Sequence, residues 1–581
     1  MIQQLFHIVI VSFICIAWGI PFFLLLFPSI KKEHFWYHSN ISRLSFLFFL
    51  GCITLSIGSA WLYLFTPLKF VYLLCSTILL LIYLFLFQRK RIIYLFSASH
   101  EGRTRFPLLH FSFIAVGILL FLLLGTLQPI NDDTQIYHLQ IIQWLNHYKA
   151  LPGIANLYPR FGLGSNWFNL ISFFYWPIFT RENFTYLNTA FVIWFFLWLF
   201  SKSYYYFEKK DADNNRILSF FYFLSLIYFI VDWQLFRDAA NSTNYDFAVT
   251  AFTIIVFSFF FEGILSNVTR TNFSFPIFLF SLCAVSFKLS GIFLLSFVFY
   301  HFIMSWKTVK WFIVITAGMF ILLPVLIKNY IITGYPLFPS TITINTPDWI
   351  FPKQLAIGFY RYIILSNRFY NHQWAFINKI HPDSFNWIPY WFKGILIQHR
   401  IILGLAISSI LFLFIKLSLA INTRQLRNVI VVLLLMLTGW FFTAPDPGRF
   451  GYGILLSLSF LTVSLLFYQF FKEKIYLSVL LCTTIVMLIY GIKKSLPIIN
   501  NLAYIIYPES FADPHYEIVR INDVEVKFPQ RIDSNLDCRC YQLSPPCIIQ
   551  KNPYLETRGK SISDGFRMDQ PDSGFIKSYL Y

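Results

Sequence analysis

The stretch from Phe111 to Lys149, "FSFIAVGILLFLLLGTLQPINDDTQIYHLQIIQWLNHYK", decides the fold. Its first half is an apolar run long enough to cross a hydrocarbon core of about 30 Å. Two adjacent carboxylates, Asp132 and Asp133, stand at the exit. A Tyr-His pair follows, with Ile136, Leu139, Ile142 and Leu145 at helical spacing. The pattern predicts a membrane span that ends on an amphipathic helix lying along the membrane surface.

The surrounding chain agrees. Of 581 residues, 57% are hydrophobic and 12% charged, 71 are Phe, and the mean hydropathy is +0.62. A soluble domain carries roughly 25% charged residues, so a soluble enzyme is excluded and the fold class is an all-α polytopic membrane protein. The first run, Leu5 to Phe27, has no basic residue before it and no small-residue cleavage site after it, and is expected to be a retained helix.

A net charge of +18 would suit nucleic acid, but Lys and Arg fall in short loops such as "KKEH", "QRKR", "EGRTR", "FEKKD", "WKTVK", "NTRQLR" and "FKEK". Such loops mark the cytoplasmic side. Keeping all of them inside gives spans near 5–27, 43–65, 68–88, 107–129, 183–206, 217–236, 246–264, 309–331, 399–420, 428–443, 450–470 and 475–493. A tight pair near 273–304 brings the count to roughly fourteen. Both termini then lie outside.

Three regions follow: N-terminal helices over 1–106, a transmembrane core over 107–499 with external loops 130–182 and 332–398, and an external tail over 500–581. "SNWFNLISFFYWPIF", Ser165 to Phe179, is apolar but short of the ~20 residues of a span, and is expected to lie at the outer interface. In the tail, "EIVRINDVEVKF" reads as a hairpin around Asn522-Asp523. The spacing "CRCYQLSPPC" suits a disulfide from Cys547 to Cys538 or Cys540 in an oxidising compartment; zinc, lacking a fourth ligand, is the weaker reading.

Several residues could carry chemistry. Asp132 with Gln135 three residues on resembles a capping box, which would leave Asp133 and Tyr137, one turn apart, to face one cavity. Simple capping could also account for both Asp residues. Arg160, in the same loop, is assigned with Tyr137 to substrate binding. Asp246 starts a helix after the segment that holds Asp232 and Asp238, a place that the helix dipole alone would favour. Lys288 interrupts "CAVSFKLSGIF", where a mid-bilayer Lys costs roughly 2.5–3.5 kcal/mol, so it either lines a cavity at a helix break or snorkels to the interface. Lys328 and Arg449 stand at external helix ends, where each could fix a phosphate or anchor the interface.

An acidic residue after an early span, "YH" behind it, a second Asp in a later external loop, a Lys in a broken helix pair and "KNYIITGYPLFP" after a later span together resemble the GT-C superfamily of polytopic glycosyltransferases, over roughly residues 107 to 465. The resemblance implies a lipid-phosphate-linked sugar donor, a glycan, lipid or protein acceptor, and a bacterial inner membrane. It makes Asp132 or Asp133 the carboxylate that deprotonates or orients the acceptor, with His138 lining their pocket, and Lys288, Lys328 and Arg449 the phosphate ligands. It also makes Asp246 the ligand of an optional divalent metal ion, Mg or Mn. The three apolar spans ahead of the acidic loop and the Cys-containing tail depart from the better-known families and point to an uncharacterised bacterial branch. A polysaccharide ligase or polymerase, a lipid-linked glycan flippase, and a non-enzymatic membrane assembly or transport protein share the same gross features.

Overall fold

A computed structural model describes residues 1–26, 39–97, 107–176, 182–209, 212–232, 239–265, 271–304, 311–368, 384–417, 423–511, 514–530, 539–549, 551–569 and 571–572. The protein is mostly helical, with four short strands among the described residues of the tail. Among the described residues nine helices are long and apolar enough to cross a membrane, from Ile2–Leu25 to Glu473–Asn500. A tenth is added if Trp387–Gly394 and Ile397–Phe412, which meet at 114°, form one broken span. This is an α-helical membrane protein.

The smaller number has physical causes. The pair expected over 273–304 consists of Thr271–Phe287 and Leu289–Leu294 with Leu295–Met304, a chain broken at Lys288 into pieces each shorter than the nine. Tyr186–Glu208 has the length, with 23 residues, but is not among the nine that pass on apolarity as well.

Central and peripheral helices separate by burial. In Asp246–Leu265, 83% of the apolar window is buried, against 17% in Phe312–Thr333. The first therefore packs inside the bundle and the second presents its apolar side outward. In lipid, helices associate through close packing rather than hydrophobic exclusion. The first two helices do so through small residues: a Cβ at Gly19 would stand 1.9 Å from Leu47 O, and one at Gly51 1.7 Å from Cys15 O. Farther in, Phe191 packs against Phe49, Trp167 and Phe252 with ring centroids 5.2 to 5.6 Å apart, which ties four helices together.

One end of the bundle gathers the functional candidates. The Leu108–Thr126 helix leaves there, and Asn183 and Thr185, just ahead of Tyr186–Glu208, donate to Gly125 O at 2.8 and 2.7 Å. The chain between thus returns to the end it left. Asn166–Phe173 is wholly buried at that end, with Trp167 Nε1 donating to Asn188 Oδ1 at 2.8 Å. The expected interfacial helix is therefore eight residues packed into the bundle, and residues 177–181 lie outside the described set. The Leu139–His147 helix is likewise buried from Leu139 to Asn146 rather than laid on a surface. Its polar face is covered: Gln140 Nε2 donates to Leu543 O at 2.8 Å, and Asn146 Nδ2 to Leu68 O at 3.0 Å.

The tail supplies the cover over Gln140. Tyr516–Ile521 and Val524–Pro529 pair antiparallel around Asn522, whose φ of 52° turns the chain. Leu555–Thr557 and Phe566–Met568 form a second pair. Cys540 and Cys547 are bonded, Cα atoms 6.0 Å apart; Cys538 lies outside the described residues. Phe566 N–H donates to Pro152 O at 3.0 Å, and Arg558 grips Asp348 at 2.7 and 3.1 Å, so the tail clasps both long loops.

Candidate functional site

The helix entrance at Asp132 differs from the expected capping box. Asn131 Oδ1 accepts the Thr134 N–H at 3.1 Å, so Asn131 is the side-chain cap. Asp132 points outward, 76% exposed, to Arg539 Nη2 at 3.3 Å, and Gln135 donates to Pro129 O at 3.0 Å. Both carboxylates are thereby released from capping. Thr134–His138 then runs as a π-helix, a widening that often accompanies functional sites.

Asp133 turns inward to a row of alternating charges. Its Oδ1 accepts from Arg160 Nη1 at 3.1 Å, and its Oδ2 from Arg449 Nη2 at 3.1 Å. Arg449 Nε donates to Asp246 Oδ2 at 3.0 Å, and Lys288 Nζ to Asp246 Oδ1. The order is Arg160, Asp133, Arg449, Asp246, Lys288: three cations, two carboxylates, one positive charge in surplus. Tyr137 joins as expected, its ring centroid 5.4 Å from the Arg160 guanidinium carbon. Lys288 is boxed by the Tyr245 and Phe450 rings at 5.1 and 3.7 Å.

Local structure explains each placement. Asp246 is the first residue of its helix, where the positive end of the dipole faces its carboxylate. Lys288 sits with extended backbone between two helical pieces, φ –155°, which lets it reach sideways. Arg449 belongs to a turn held by Asp446, whose Oδ1 accepts the Gly448 and Arg449 N–H groups at 2.9 and 3.2 Å. Asp246 and Lys288 are 11% and 13% exposed, Arg449 45%. Arg449 is thus the cation open to a ligand.

Burial alone would push the Asp133 carboxyl up, but the charges of Arg449 and Arg160 outweigh it and hold it below the usual carboxylate range. It is ionised at neutral pH. His138 lies behind the row, 1% exposed, with Nδ1 3.2 Å from Thr243 Oγ1. Burial pushes its pKa down to about 3, so it is neutral, packed against Phe168 and Tyr245. Asp232 accepts from Tyr452 and is occupied there; Asp238 lies outside the described residues.

Lys328 stands apart from the row. Its ammonium donates to Gly164 O and Asn166 Oδ1, both at 3.2 Å. The metal role for Asp246 does not fit the donor set. Both its oxygens accept from cations, and among the described residues no group of three or more His, Cys, Asp and Glu could hold a metal.

Tyr245, Phe450, Asn131 and Arg539 escaped the sequence reading. For the first two the signal is present, as an aromatic residue directly beside Asp246 and one directly beside Arg449.

Over residues 1–456 the chain matches the family described as a domain of unknown function, DUF8201. It belongs to that family. No curated protein and no solved structure matches the chain. All five members of the charge row fall within the part shared with DUF8201, whereas Arg539 and the clasp around it lie beyond.

Proposed function

We propose that this protein is a membrane glycosyltransferase that moves a sugar from a polyprenyl-phosphate donor to a cell-envelope glycan, lipid or protein on the outer face of a bacterial inner membrane. The observation that carries the reading is the charge row, because glycosyl transfer from a lipid phosphate needs an ionised carboxylate for the acceptor hydroxyl and a cation for the departing phosphate. Both stand side by side, and the row holds one cation more than it needs for itself. The basic loops support the orientation: Lys209 and Lys472 lie at the opposite ends of helices whose other ends meet the row. With the more polar and broken helices crossing as well, the chain spans the membrane about fourteen times.

Arg449 links the two halves of the chemistry. It holds Asp133 Oδ2, so a donor phosphate that draws Arg449 to itself releases that oxygen. Asp133 then accepts the acceptor's hydroxyl proton as the oxygen attacks the anomeric carbon. The bond from that carbon to the phosphate oxygen breaks, and the phosphate leaves with its electron pair against Arg449 and Lys288. Asp246 keeps Lys288 in place and returns Arg449 afterward.

The test is release of polyprenyl phosphate from a polyprenyl-phosphate hexose by purified protein in nanodiscs, with membrane extract as acceptor and no ion gradient. Transfer that disappears in Asp133→Asn supports the reading. No release from any such donor, with the fold intact, would refute it.

A further inference from the structure

The helix Phe312–Thr333 finishes at the same end of the bundle as the charge row, where Lys328 reaches Gly164 and Asn166. At 1.5 Å per residue its 22 residues extend about 33 Å, which brings its last turn to the edge of a hydrocarbon core of about 30 Å. Its two sides differ. Lys328, 2% exposed, faces the bundle. Tyr330, two residues on, lies on the opposite side, within about 20° of Phe312 and Met319, which are 81% and 56% exposed. That side faces lipid.

Beyond the helix the chain folds back onto the lipid-facing side. Gly334, with φ 83°, turns it, and Phe351 N–H returns to Thr333 O at 2.9 Å. Between these points the Tyr330 hydroxyl donates to Asn345 Oδ1, so the tip at residues 340–345 stands level with the last turn of the span rather than above it. The base is fixed by Phe338, whose ring packs on Phe351 and Phe359 with centroids 5.6 and 5.8 Å apart. The tip itself is inside out. Thr343 Oγ1 turns onto the loop's own backbone, 2.8 Å from Gly334 O and 2.6 Å from Asn345 O, whereas Ile342 and Ile344 on either side are 70% and 86% exposed. Contact with water favours the reverse arrangement.

We propose that residues 340–345 form a wedge that dips Ile342 and Ile344 into the lipid leaflet on the side of the charge row. Lipid is the occupant because the tip rests on the face of the span that lipid covers, at the depth where headgroups meet acyl chains. It goes no deeper, since an irregular segment cannot leave backbone groups bare in hydrocarbon, and the exposed Asn345 and Thr346 stay among the headgroups. The wedge sets the height of the long loop over the bilayer, and with it that of Asp348, which Arg558 of the tail grips. None of this depends on which reaction the row performs.

The experiment attaches bimane to Ile344→Cys, and separately to Ile342→Cys, in the full chain with one chain per nanodisc. Cys75→Ser, Cys482→Ser and Cys538→Ser leave the native cysteines either buried or disulfide-bonded. Met319→Cys on the span and Ile518→Cys on the tail strand, 56% and 55% exposed, are the lipid and water references. Emission at Ile344→Cys should shift to the blue relative to Ile518→Cys and be lost to phosphatidylcholine brominated near the carbonyl end of its chains more than to lipid brominated near the methyl end; Met319→Cys should show the opposite order. Quenching by brominated lipid supports the wedge whether or not aqueous iodide also reaches the label. Quenching by iodide alone, as at Ile518→Cys, overturns it. Protection from both also overturns it and makes a protein surface the cover. Ile342→Cys decides the matter if Ile344→Cys does not fold.

Discussion

Replacing Arg449 with Gln tests the charge row at its centre. The guanidinium reaches Asp246 Oδ2 through Nε at 3.0 Å and Asp133 Oδ2 through Nη2 at 3.1 Å. Without it Asp133 keeps Arg160 and Asp246 keeps Lys288, so neither carboxylate is left alone and the row falls from one surplus positive charge to none. The side chain is 45% exposed while Asp246 and Asp133 are 11% and 21% exposed, so the folding cost lies above the about 0.2–1 kcal/mol of an exposed pair and below the about 3–5 kcal/mol of a fully buried one. Loss of a charge-assisted contact with the departing phosphate costs about 1.5–3 kcal/mol in transition-state binding. That corresponds to about a 10- to 150-fold fall in kcat/KM at limiting donor. Arg449→Lys should recover only part of it, because one ammonium cannot reproduce two nitrogens that point at different carboxylates. The assay is initial-rate transfer from a polyprenyl-phosphate hexose in nanodiscs, beside a thermal melt of each variant. Full activity in Arg449→Gln, or a loss matched by collapse of the melt, would refute the reasoning.

Three further outcomes are expected. Asp133→Asn removes two ion pairs and should lower the melt somewhat, but turnover should fall about 10²- to 10⁴-fold in the fraction that stays folded, whereas Asp132→Asn, at an exposed pair with Arg539, should stay close to the parent; the same transfer assay reads both. Asp133 is held low partly by Arg160, so in Arg160→Gln its carboxyl rises and the acid limb of kcat/KM against pH moves to higher pH. A depressed carboxyl stabilises the fold above its unfolded pKa and loses that contribution as pH falls through the folded value, so thermal melts of the same variant should show less acid destabilisation than the parent. Cysteines placed at Asp132 should react with an impermeant thiol reagent added outside intact cells, and those at Lys209 or Lys472 should not; labelling at Lys209 from outside would invert the orientation.

Much of the site was legible because charge is expensive inside apolar sequence. Asp133, Asp246, Lys288 and Arg449 each interrupt or abut an apolar run, and four elements distant in the chain bring them to one place. The cap was not legible, because Asn131 and Asp132 are equally good caps and composition cannot choose the register between neighbours. Lys328 looked equivalent to Arg449 since each is one cation at a helix end; only the path of residues 160–166 puts them in different surroundings. Span number is read differently from sequence and from structure. Apolarity is read along a window, but the break at Lys288 and the 114° bend before Ile397 depend on neighbouring helices. The tail disulfide could be narrowed to two pairings from spacing, and the strand pair from alternation around Asn522, while Arg539 carried no periodic signal at all.

The clasp made by the tail imposes a sequence in time. Residues 539–568 are synthesised after every helix of the bundle, yet they hold Asp132, Gln140, Pro152 and Asp348, which emerge hundreds of residues earlier. The two long loops must therefore wait, partly unclothed, until the chain is nearly finished. Gln140 gains the carbonyls of Tyr541 and Leu543 only at that last step. A chain that ends after Ile506 and before Arg539 holds every helix of the bundle and all five members of the charge row, but no roof.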